Sequence, residues 1–542
     1  MNDLEQQFRN MHQLDSEQRK SLLKLLETLK PDFLRPYFQD WLWWRRCRVN
    51  VLLVCDGGLN FGTGGFGLSE FLTAFNQLQA TTWADYRLTL AHRSSSVASP
   101  NPLVVAQINN FNFATSVALS DFDQVWLFGI DPSGSISVEE IAALEAYMNG
   151  GGGLFATGDH GALGKSMCGN IPRVKDMRYW DDFPNSSNDI NEVSMGGPRR
   201  NDTNRPASGA ATSVNFENQS DAIPQTIAAR SFGRGTPHPL LSISPRIRPS
   251  GVIDIMPDHP HEGQCAPERM FEVNGATVSS QIIATSFVLS GSTTAGGNGK
   301  TLTIPHCFPS IAVWDGRIAN VGRIVVDSTW HHFVNINLNG AETPLTGLTS
   351  SDFEVVRQYF MNIATWISRK KSFLCWRRFI LFDLLVNSQL IEANLNNPQA
   401  ALESIALEDL NNIGSLAEEI LANKFSPAFA RSFLVEMLAE VQPELASKLD
   451  VWRPVTDGTE KQSAEHVPLP WLNTDFLLWT SIGCGFIALR DSQQFSSPKL
   501  TDEGLAPIID VFGKGLVQGL ALATKDFRSA INSLSRLVKL DL

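Results

Sequence analysis

The chain has 542 residues, of which 43% are hydrophobic and 18% are charged, and its formal net charge is −12 at pH 7. This length exceeds what one hydrophobic core usually supports, so we expect two or three domains. The composition is that of a globular protein, and the negative charge argues against non-specific nucleic-acid binding. A small-molecule substrate or ligand, or a protein partner, is therefore the expected kind of partner.

We expect a cytoplasmic protein that has no membrane partner. The first residues, Met1–Glu5, are polar and acidic, unlike the basic start of a signal peptide. The most apolar run, residues 476–489, is interrupted by polar residues and glycines and is too short to span a bilayer, which predicts a buried helix. The seven cysteines are odd in number and form no CxxC pair, which predicts reduced thiols.

Residues 1–48 are predicted to form a helical N-terminal arm. Five leucines between residues 22 and 29 give a broad apolar face after a potential cap at Asp15, and Pro31 ends the helix. In Trp41–Arg48 we expect tryptophans that pack on the main domain and arginines that stay solvated. A membrane-surface or anion-binding patch is the alternative interpretation.

The next segment alternates between predicted strands and helices. The runs Val49–Cys55, Tyr86–Leu90 and Phe122–Phe128 are apolar and predict buried strands, and residues 71–78 place their apolar side chains on one helical face. This alternation is typical of a parallel sheet with helices on both faces. The predicted fold class is therefore α/β, with a mostly parallel, doubly wound sheet.

A glycine-rich loop follows the first predicted strand. Asp56 ends that strand, and Gly62, Gly64 and Gly67 match the pattern GxGxxG. In a dinucleotide-binding fold these glycines follow the strand directly, so that the pyrophosphate meets the helix N-terminus. Here several residues intervene. We therefore expect a loop that lines the site, bordered by Asp56, and no nucleotide cofactor.

The stretch Gly150–Gly161 is predicted to be the centre of this domain. Ser137 and Glu140 fit a capping box at the start of the preceding helix, and the glycines from residue 150 end that helix. A short buried strand then leads into a turn that carries Asp159 and His160. In an open α/β sheet, ligands bind at the C-terminal ends of the strands, so both residues are candidates for the site.

Residues 181–249 are rich in Asn, Ser, Pro, Gly and Arg and predict an insertion or a lid over the site. Beyond it, strands are predicted at residues 251–256 and 281–289. A hairpin with a two-residue turn at Asp315–Gly316 is predicted to join residues 311–314 to residues 319–326. A helix capped by Ser351 and Glu354 ends the α/β domain, residues 49–372.

From residue 373 to residue 542 the pattern is almost purely helical and contains no cluster of chemically reactive residues. We interpret this region as a separate all-α domain. A homo-oligomer through these helices, binding of a protein partner, and tight docking on the first domain all remain open.

Three short motifs rich in histidine and acidic residues follow predicted strands. They are Asp159 with His160, then Asp258, His259, His261 and Glu262, then Asp327, His331 and His332. Because the ends of parallel strands meet at one edge of a sheet, we expect these side chains to share one pocket. Carboxylates packed together are costly unless they are protonated or paired with a cation, and imidazoles and a metal ion both meet that need.

Two mechanisms fit such a pocket. A divalent metal, Zn²⁺, Mn²⁺ or Fe²⁺, would accept mixed histidine and carboxylate ligands and would lower the pKa of bound water to about 7. The candidate ligands are His160, Asp258, His259, His261, His331 and His332. Metal-free acid–base catalysis by His160, Asp159 and Asp327 is the alternative. Histidines near strand ends also often satisfy backbone groups without any catalytic role.

The turn Gly158-Asp159-His160-Gly161-Ala162 resembles the elbow of the class I glutamine amidotransferase-like superfamily. There the elbow reads GxCxG with cysteine as nucleophile. Here His160 takes that position, which is similar to the ThuA-like branch, a group tied to sugar metabolism. Residues 322–328 also resemble the last strand of the superfamily. The resemblance covers about residues 49–370 and implies that fold without glutamine hydrolysis through a thiolate.

These patterns predict a hydrolase or lyase that acts on a small polar substrate, for which the resemblance suggests a sugar derivative. A non-catalytic ligand sensor or scaffold that assembles through its C-terminal helices is the alternative.

Overall fold

The chain forms two compact units, Cys47–Phe373 and a second unit that begins at Leu374. The computed structural model describes residues 47–82, 84–95, 97–181, 201, 225–257, 262–288, 304–339, 348–385, 387–395, 404–453, 474–492 and 502–538. The predicted N-terminal arm lies outside these residues except for its last two, which begin a strand. Most of the predicted insertion also lies outside them.

A ten-stranded mixed sheet is the centre of the first unit. Its strands are β1 (Cys47–Cys55), β2 (Ala84–His92), β3 (Val104–Ile108), β4 (Gln124–Phe128), β5 (Gly153–Thr157), β6 (Gln225–Ala229), β7 (Ile255–Met256), β10 (Gln281–Val288), β11 (His306–Trp314) and β12 (Ile324–Asp327), while β8 (Met270–Val273) and β9 (Ala276–Ser279) form a separate pair. Strands β3-β2-β1-β4-β5-β12 run parallel, and β11, β10, β6 and β7 continue the sheet in antiparallel pairs. The predicted α/β class is confirmed at this level.

Among the described residues of this unit, six helices accompany the sheet. They are α1 (Ser69–Thr81), α2 (Val138–Asn149), α3 (Lys165–Cys168), α4 (Val174–Met177), α5 (Asn335–Leu338) and α6 (Ser350–Trp366). Alternate residues of β4 face different helices, because side chains of a strand alternate between its two faces. Leu127 lies in the core that contains Leu144 of α2, whereas Trp126 and Phe128 pack against Phe71 of α1. Helices therefore cover both faces.

The capping box predicted at the start of α2 is confirmed. The Ser137 hydroxyl accepts a hydrogen bond from the Glu140 backbone N–H, and the Glu140 carboxylate accepts one from the Ser137 N–H. The predicted cap of α6 is wrong, because Thr349 takes that position and accepts from the Asp352 N–H. Thr, Ser and Asp occur close together there, and the pattern fixes the helix start only within a residue or two.

Three features of the strands differ from the prediction. The hairpin of β11 and β12 forms, but its connection is Asp315–Arg323 with a 3₁₀ turn, because the Asp315 carboxylate caps that turn and also pairs with Arg323. The strand predicted at residues 251–256 is reduced to β7. Strand β3 was not predicted; four of its five residues are apolar, but its side chains are half-buried or exposed at the edge of the sheet.

Beyond residue 374 every described element is a helix, which confirms the predicted helical C-terminal region. Helix α7 (Lys370–Leu385) enters this unit, and the rest are α8 (Ser388–Leu395), α9 (Leu407–Lys424), α10 (Pro427–Ala439), α11 (Pro443–Leu449), α12 (Thr474–Asp491) and α13 (Asp502–Val538). Helix α12 is buried along most of its length, as predicted for residues 476–489. Among the described helices, none combines the length and the apolar character that crossing a bilayer requires.

The cysteines differ in state. Free thiols are found at residues 55, 168, 265, 307 and 484. Cys47 and Cys375 are each in a disulfide bond, so the prediction of seven reduced thiols is wrong for these two. Sequence spacing does not reveal which thiols meet in space.

Candidate functional site

The carboxyl ends of β5 and β12 lie side by side at one edge of the sheet. The strands pair in parallel register, with Asp327 opposite Thr157. The residues that follow them, Gly158–His160 and Ser328–Thr329, therefore start from adjacent positions. The N–H of Trp330 donates to the Gly158 carbonyl at 2.8 Å and joins the two segments beyond the strands.

Glycines allow the sharp turn after β5. A Cβ atom at Gly158 would lie 2.4 Å from the carbonyl oxygen of Leu163, so the close backbone approach requires glycine. The Asp159 N–H donates to that same oxygen at 3.1 Å and closes the turn. Gly161 and Gly164 have φ angles of 57° and 92°, which L side chains rarely adopt. The glycines thus take the unusual backbone angles, and the turn presents Asp159 and His160 at the sheet edge.

Asp159 and His160 form a hydrogen-bonded pair. The distance between His160 Nδ1 and Asp159 Oδ2 is 2.9 Å, and the Thr329 hydroxyl donates to Asp159 Oδ1, also at 2.9 Å. The Asp159 side chain is 1% exposed and that of His160 is 12% exposed. Because the carboxylate accepts, we assign the proton of the neutral imidazole to Nδ1. A buried acid therefore orients a histidine that reaches solvent.

His331 joins this pair from the other strand. Its Nε2 lies 3.7 Å from Asp159 Oδ2, and its Nδ1 lies 2.8 Å from the amide oxygen of Asn337. Burial lowers the pKa of His331 to about 4, so the ring is neutral at pH 7. The ring also stacks on Trp330, with centroids 3.9 Å apart. We call Asp159, His160, Thr329 and His331 the open cluster.

His332 lies in a different, completely buried group. Its Nδ1 lies 2.8 Å from Asp327 Oδ1, and its Nε2 lies 3.7 Å from Glu262 Oε1. Burial lowers the pKa of His332, but the attraction of Asp327 and Glu262 outweighs burial and raises it to about 10. The Tyr359 hydroxyl donates to Asp327 Oδ2 at 2.8 Å. We call Asp327, His332, Glu262 and Tyr359 the sealed cluster.

Neighbouring histidines thus point into separate clusters. Trp330–His332 forms a 3₁₀ turn, in which successive side chains differ in direction by about 120°. The structure brings together Asp159, His160 and His331, but not His332. Asp327 lies in the sealed cluster and supports the open one, since its Oδ1 accepts from the Thr329 N–H at 3.2 Å.

A residue of the predicted insertion, Gln225, bonds to the sealed cluster. Gln225, the first residue of β6, donates through its side-chain amide to Glu262 Oε1 at 2.5 Å, and the Ser328 hydroxyl donates to Glu262 Oε2 at 3.2 Å. Burial raises the pKa of Glu262, opposed by His332 and Gln225. Because β6 belongs to the central sheet and Gln225 is fully buried, residues 225–229 do not form a lid.

The glycine-rich loop borders the open cluster. The Asn335 side-chain amide donates to the carbonyls of Gly62 and Gly64 at 3.0 and 2.9 Å. The Phe66 ring lies 6.2 Å from the ring of His331 and 5.6 Å from that of Trp330. These contacts direct the loop toward the ends of β12 and β5, in agreement with the interpretation of a loop that lines the site.

Asp56 lies two strands away from β5 at the same edge. Its Oδ1 accepts from the N–H groups of Ile130 and Asp131 at 2.6 and 3.2 Å, which ties the end of β1 to the end of β4. Burial raises the pKa of Asp56 to about 7, although the two backbone hydrogen bonds lower it. The parallel strands are in the order β3-β2-β1-β4-β5-β12, so β1 and β4 flank the point where strand order reverses, a usual ligand crevice.

The predicted metal ligands are only partly described. Asp258, His259 and His261 lie outside the described residues, whereas Glu262 follows them directly. Within the described ranges, no group of three or more His, Cys, Asp or Glu side chains is arranged to hold a metal ion. His160 and His331 share Asp159, and His332 does not join them.

Sequence reasoning missed Thr329 of the open cluster and Asn337, whose amide oxygen bonds to His331. Thr329 follows Asp327 by two residues in the third motif, so its position just after a strand could have indicated it. Asn337 is found only through the fold of α5. No known protein-family model matches the sequence, and a search of curated proteins found no match.

Proposed function

We propose that this protein is a hydrolase or lyase that acts on a small polar substrate through acid–base catalysis by His160. The observation that carries the proposal is the 2.9 Å hydrogen bond from His160 Nδ1 to the buried Asp159 carboxylate. Such a carboxylate fixes the tautomer and the orientation of the ring and stabilises the imidazolium that forms. Nε2 is then the atom that takes a proton from water or substrate and returns it to the leaving group.

The neighbouring groups have supporting roles in this mechanism. Thr329 holds the second oxygen of Asp159, and the neutral His331 contributes no charge next to a developing imidazolium. Asp327 is fully buried and acts through the backbone of Thr329, not on the substrate. The catalytic pair of the proposal is therefore Asp159 and His160, and Asp327 moves from the predicted catalytic set to a supporting position.

We also propose that the first unit is related to the class I glutamine amidotransferase-like fold, in its ThuA-like form. Without the edge strand β3, the parallel strands are β2-β1-β4-β5-β12. Counted one to five along the chain, they follow the order 2-1-3-4-5, which is the flavodoxin-like order. The turn with His160 follows an inner strand of that set. Burial raises the pKa of Cys168 and Cys265, so neither nearby thiol is poised as a thiolate nucleophile.

A divalent metal at this edge stays a prediction, with Asp258, His259 and His261 as the ligands that would complete it. The described donors alone do not form such a site, so the proposal rests on the acid–base pair. Elemental analysis of the purified protein and of His160→Ala tests the metal. Stoichiometric metal that is lost in the variant would support it, and equal metal content in both would contradict His160 as a ligand.

A panel of chromogenic esters, amides and glycosides tests the proposed function. We expect His160→Gln to lower turnover by about 10²- to 10⁴-fold, the usual contribution of a general acid–base group. His306→Gln is the control, because His306 is also a partly buried, hydrogen-bonded histidine, on the adjacent strand β11, but belongs to neither the open nor the sealed cluster. Turnover that survives in His160→Gln would refute the mechanism. No turnover across the panel would favour a ligand-sensing scaffold.

A further inference from the structure

Arg178 is a buried cation next to the catalytic pair. Its side chain is among the largest that are fully buried, with 1% of the residue exposed. The guanidinium lies over the ring of Trp180, 4.6 Å from the centroid. Burying a charged group is costly unless its hydrogen bonds are satisfied. The partners of this guanidinium therefore indicate what it contributes.

The hydrogen bonds of Arg178 in the described structure go to backbone carbonyls. Nη2 donates to the carbonyl oxygen of Asp159 at 2.5 Å and to that of Ser328 at 2.7 Å, and Nη1 donates to that of Tyr179 at 2.8 Å. One nitrogen thus joins the segment that follows β5 to the segment that follows β12. These two segments supply Asp159 and Thr329 to the open cluster.

The first of these carbonyls belongs to the peptide bond between Asp159 and His160. Side chains of consecutive residues usually diverge, so a hydrogen bond between them depends on the torsion angles at that peptide bond. Fixing its oxygen fixes the plane of the peptide and, with it, the directions in which the carboxylate and the imidazole leave the backbone.

The second carbonyl belongs to the peptide bond between Ser328 and Thr329. Its position determines where the Thr329 hydroxyl meets Asp159 Oδ1, 2.9 Å away. Gly263 packs closely against this guanidinium, since a Cβ atom at Gly263 would lie 2.1 Å from Arg178 Nη2. The hydrogen bonds of the Asp159 carboxylate to His160 and Thr329 thus depend on the positions of two peptide bonds. Arg178 Nη2 donates to the carbonyl oxygens of both peptide bonds.

We propose that Arg178 is a positioning residue of the catalytic pair: by holding the carbonyls of Asp159 and Ser328, it keeps the Asp159 carboxylate on His160 Nδ1 and so sets the tautomer of His160. The inference rests on the proposed function for its catalytic meaning. Its structural content can be measured without any substrate.

The test is the ring ¹⁵N spectrum of histidine-labelled full-length protein in mildly alkaline buffer, where His160 is assigned by comparison with His160→Gln. In the native protein His160 should show a protonated Nδ1. Arg178→Met should lose this signature and move His160 toward the Nε2–H form that histidine prefers in water. A His160 signature that is unmoved in folded Arg178→Met would overturn the proposal.

Arg173→Met is the matched control. Arg173 is also buried, it lies over the Trp314 ring at 5.3 Å, and it bonds to Asn149. Trp314 pairs with Ile324 at the start of β12, the end opposite to the site. Arg173→Met should therefore lower stability without moving the His160 signature. An equal movement in this variant would also overturn the proposal, since it would show a general effect of lost packing.

If Arg178→Met does not fold, Arg178→Lys replaces it. Lysine keeps the charge but lacks the planar fork, so the His160 signature should move part of the way, and an unmoved signature would again refute the positioning role. The two proposals fail separately. If Arg178→Met shifts the His160 signature but the native protein has no turnover, the positioning role stands and the proposed enzymatic function is refuted. If turnover depends on His160 but Arg178→Met leaves the His160 signature unchanged, the enzymatic function stands and the positioning role is refuted.

Discussion

The open and sealed clusters contain similar residues and lie next to each other, but they differ in access to solvent. Each has a carboxylate bonded to a histidine and held by a hydroxyl group: Asp159 with His160 and Thr329, and Asp327 with His332 and Tyr359. His160 is 12% exposed, whereas His332 is fully buried. Under the proposed function, the same pairing acts as a chemical site where its histidine meets solvent and as internal scaffolding where it does not.

The pair of variants Asp159→Asn and Asp327→Asn gives the largest expected contrast. Asp159→Asn removes the acceptor that sets the His160 tautomer, so turnover should fall by about 10²- to 10⁴-fold, while the free energy of unfolding falls by about 1.5–3 kcal/mol. Asp327→Asn breaks a buried ion pair, which typically costs about 3–5 kcal/mol of stability. Turnover and urea unfolding measure both effects.

Each variant is the control of the other, because the substitution is the same and nearly isosteric. The distinction between the clusters would be lost if both variants reduced stability equally and neither changed turnover per folded molecule. A large stability loss in Asp159→Asn would place it in the scaffolding instead.

The dependence of stability on pH should divide between the two adjacent histidines. The folded pKa of His332, about 10, lies above the ordinary value of 6.5, so its stabilisation is complete below pH 6.5 and is lost as pH rises toward 10. The folded pKa of His331, about 4, lies below 6.5, so its contribution is present above pH 6.5 and is lost as pH falls through 4. Each pKa unit corresponds to about 1.4 kcal/mol, so each limb amounts to a few kcal/mol.

Urea unfolding from pH 4 to pH 10 measures these limbs. His332→Gln should flatten the alkaline limb and leave the acid limb, and His331→Gln should do the opposite. If either variant removed the other's limb, the two histidines would titrate as one group and the separation of the clusters would be wrong.

The sequence predicts which residues come near the site better than it predicts how they are grouped. Asp159, His160 and Asp327 follow apolar runs, and in a parallel sheet such positions reach one edge regardless of the details. The division between His331 and His332 depends on a 3₁₀ turn, and the burial of Asp327 depends on Tyr359, which comes from the distant helix α6. Alternation along an extended segment indicates that adjacent His331 and His332 point to different sides, but it predicts neither the turn nor the contact with Tyr359.

The same limit explains why the sequence did not predict strand β6 or the role of Arg178. Strand β6 lies inside a polar segment and pairs only because β10 offers an edge, so local composition indicates an insertion. Arg178 is not among the residues that the sequence singles out, and it is fully buried. A buried cation that bonds to backbone carbonyls has no sequence signature, because any carbonyl can be its partner.

Removing the two hydroxyl groups gives the smallest and most specific test of the comparison. Tyr359→Phe and Thr329→Val each remove one hydrogen bond to a carboxylate, which is worth about 1.5–3 kcal/mol of stability. Both should therefore reduce the free energy of unfolding, Thr329→Val by more, because its hydroxyl also accepts from the His331 N–H at 3.0 Å. Thr329→Val should in addition lower turnover, because Asp159 loses the bond that holds its second oxygen, whereas Tyr359→Phe should leave turnover per folded molecule unchanged. Because turnover is compared per folded molecule, a loss of turnover in Thr329→Val alone reflects the position of Thr329 relative to His160 and not the difference in stability. Equal turnover in both would mean that the Thr329 hydroxyl, like that of Tyr359, only stabilises the fold.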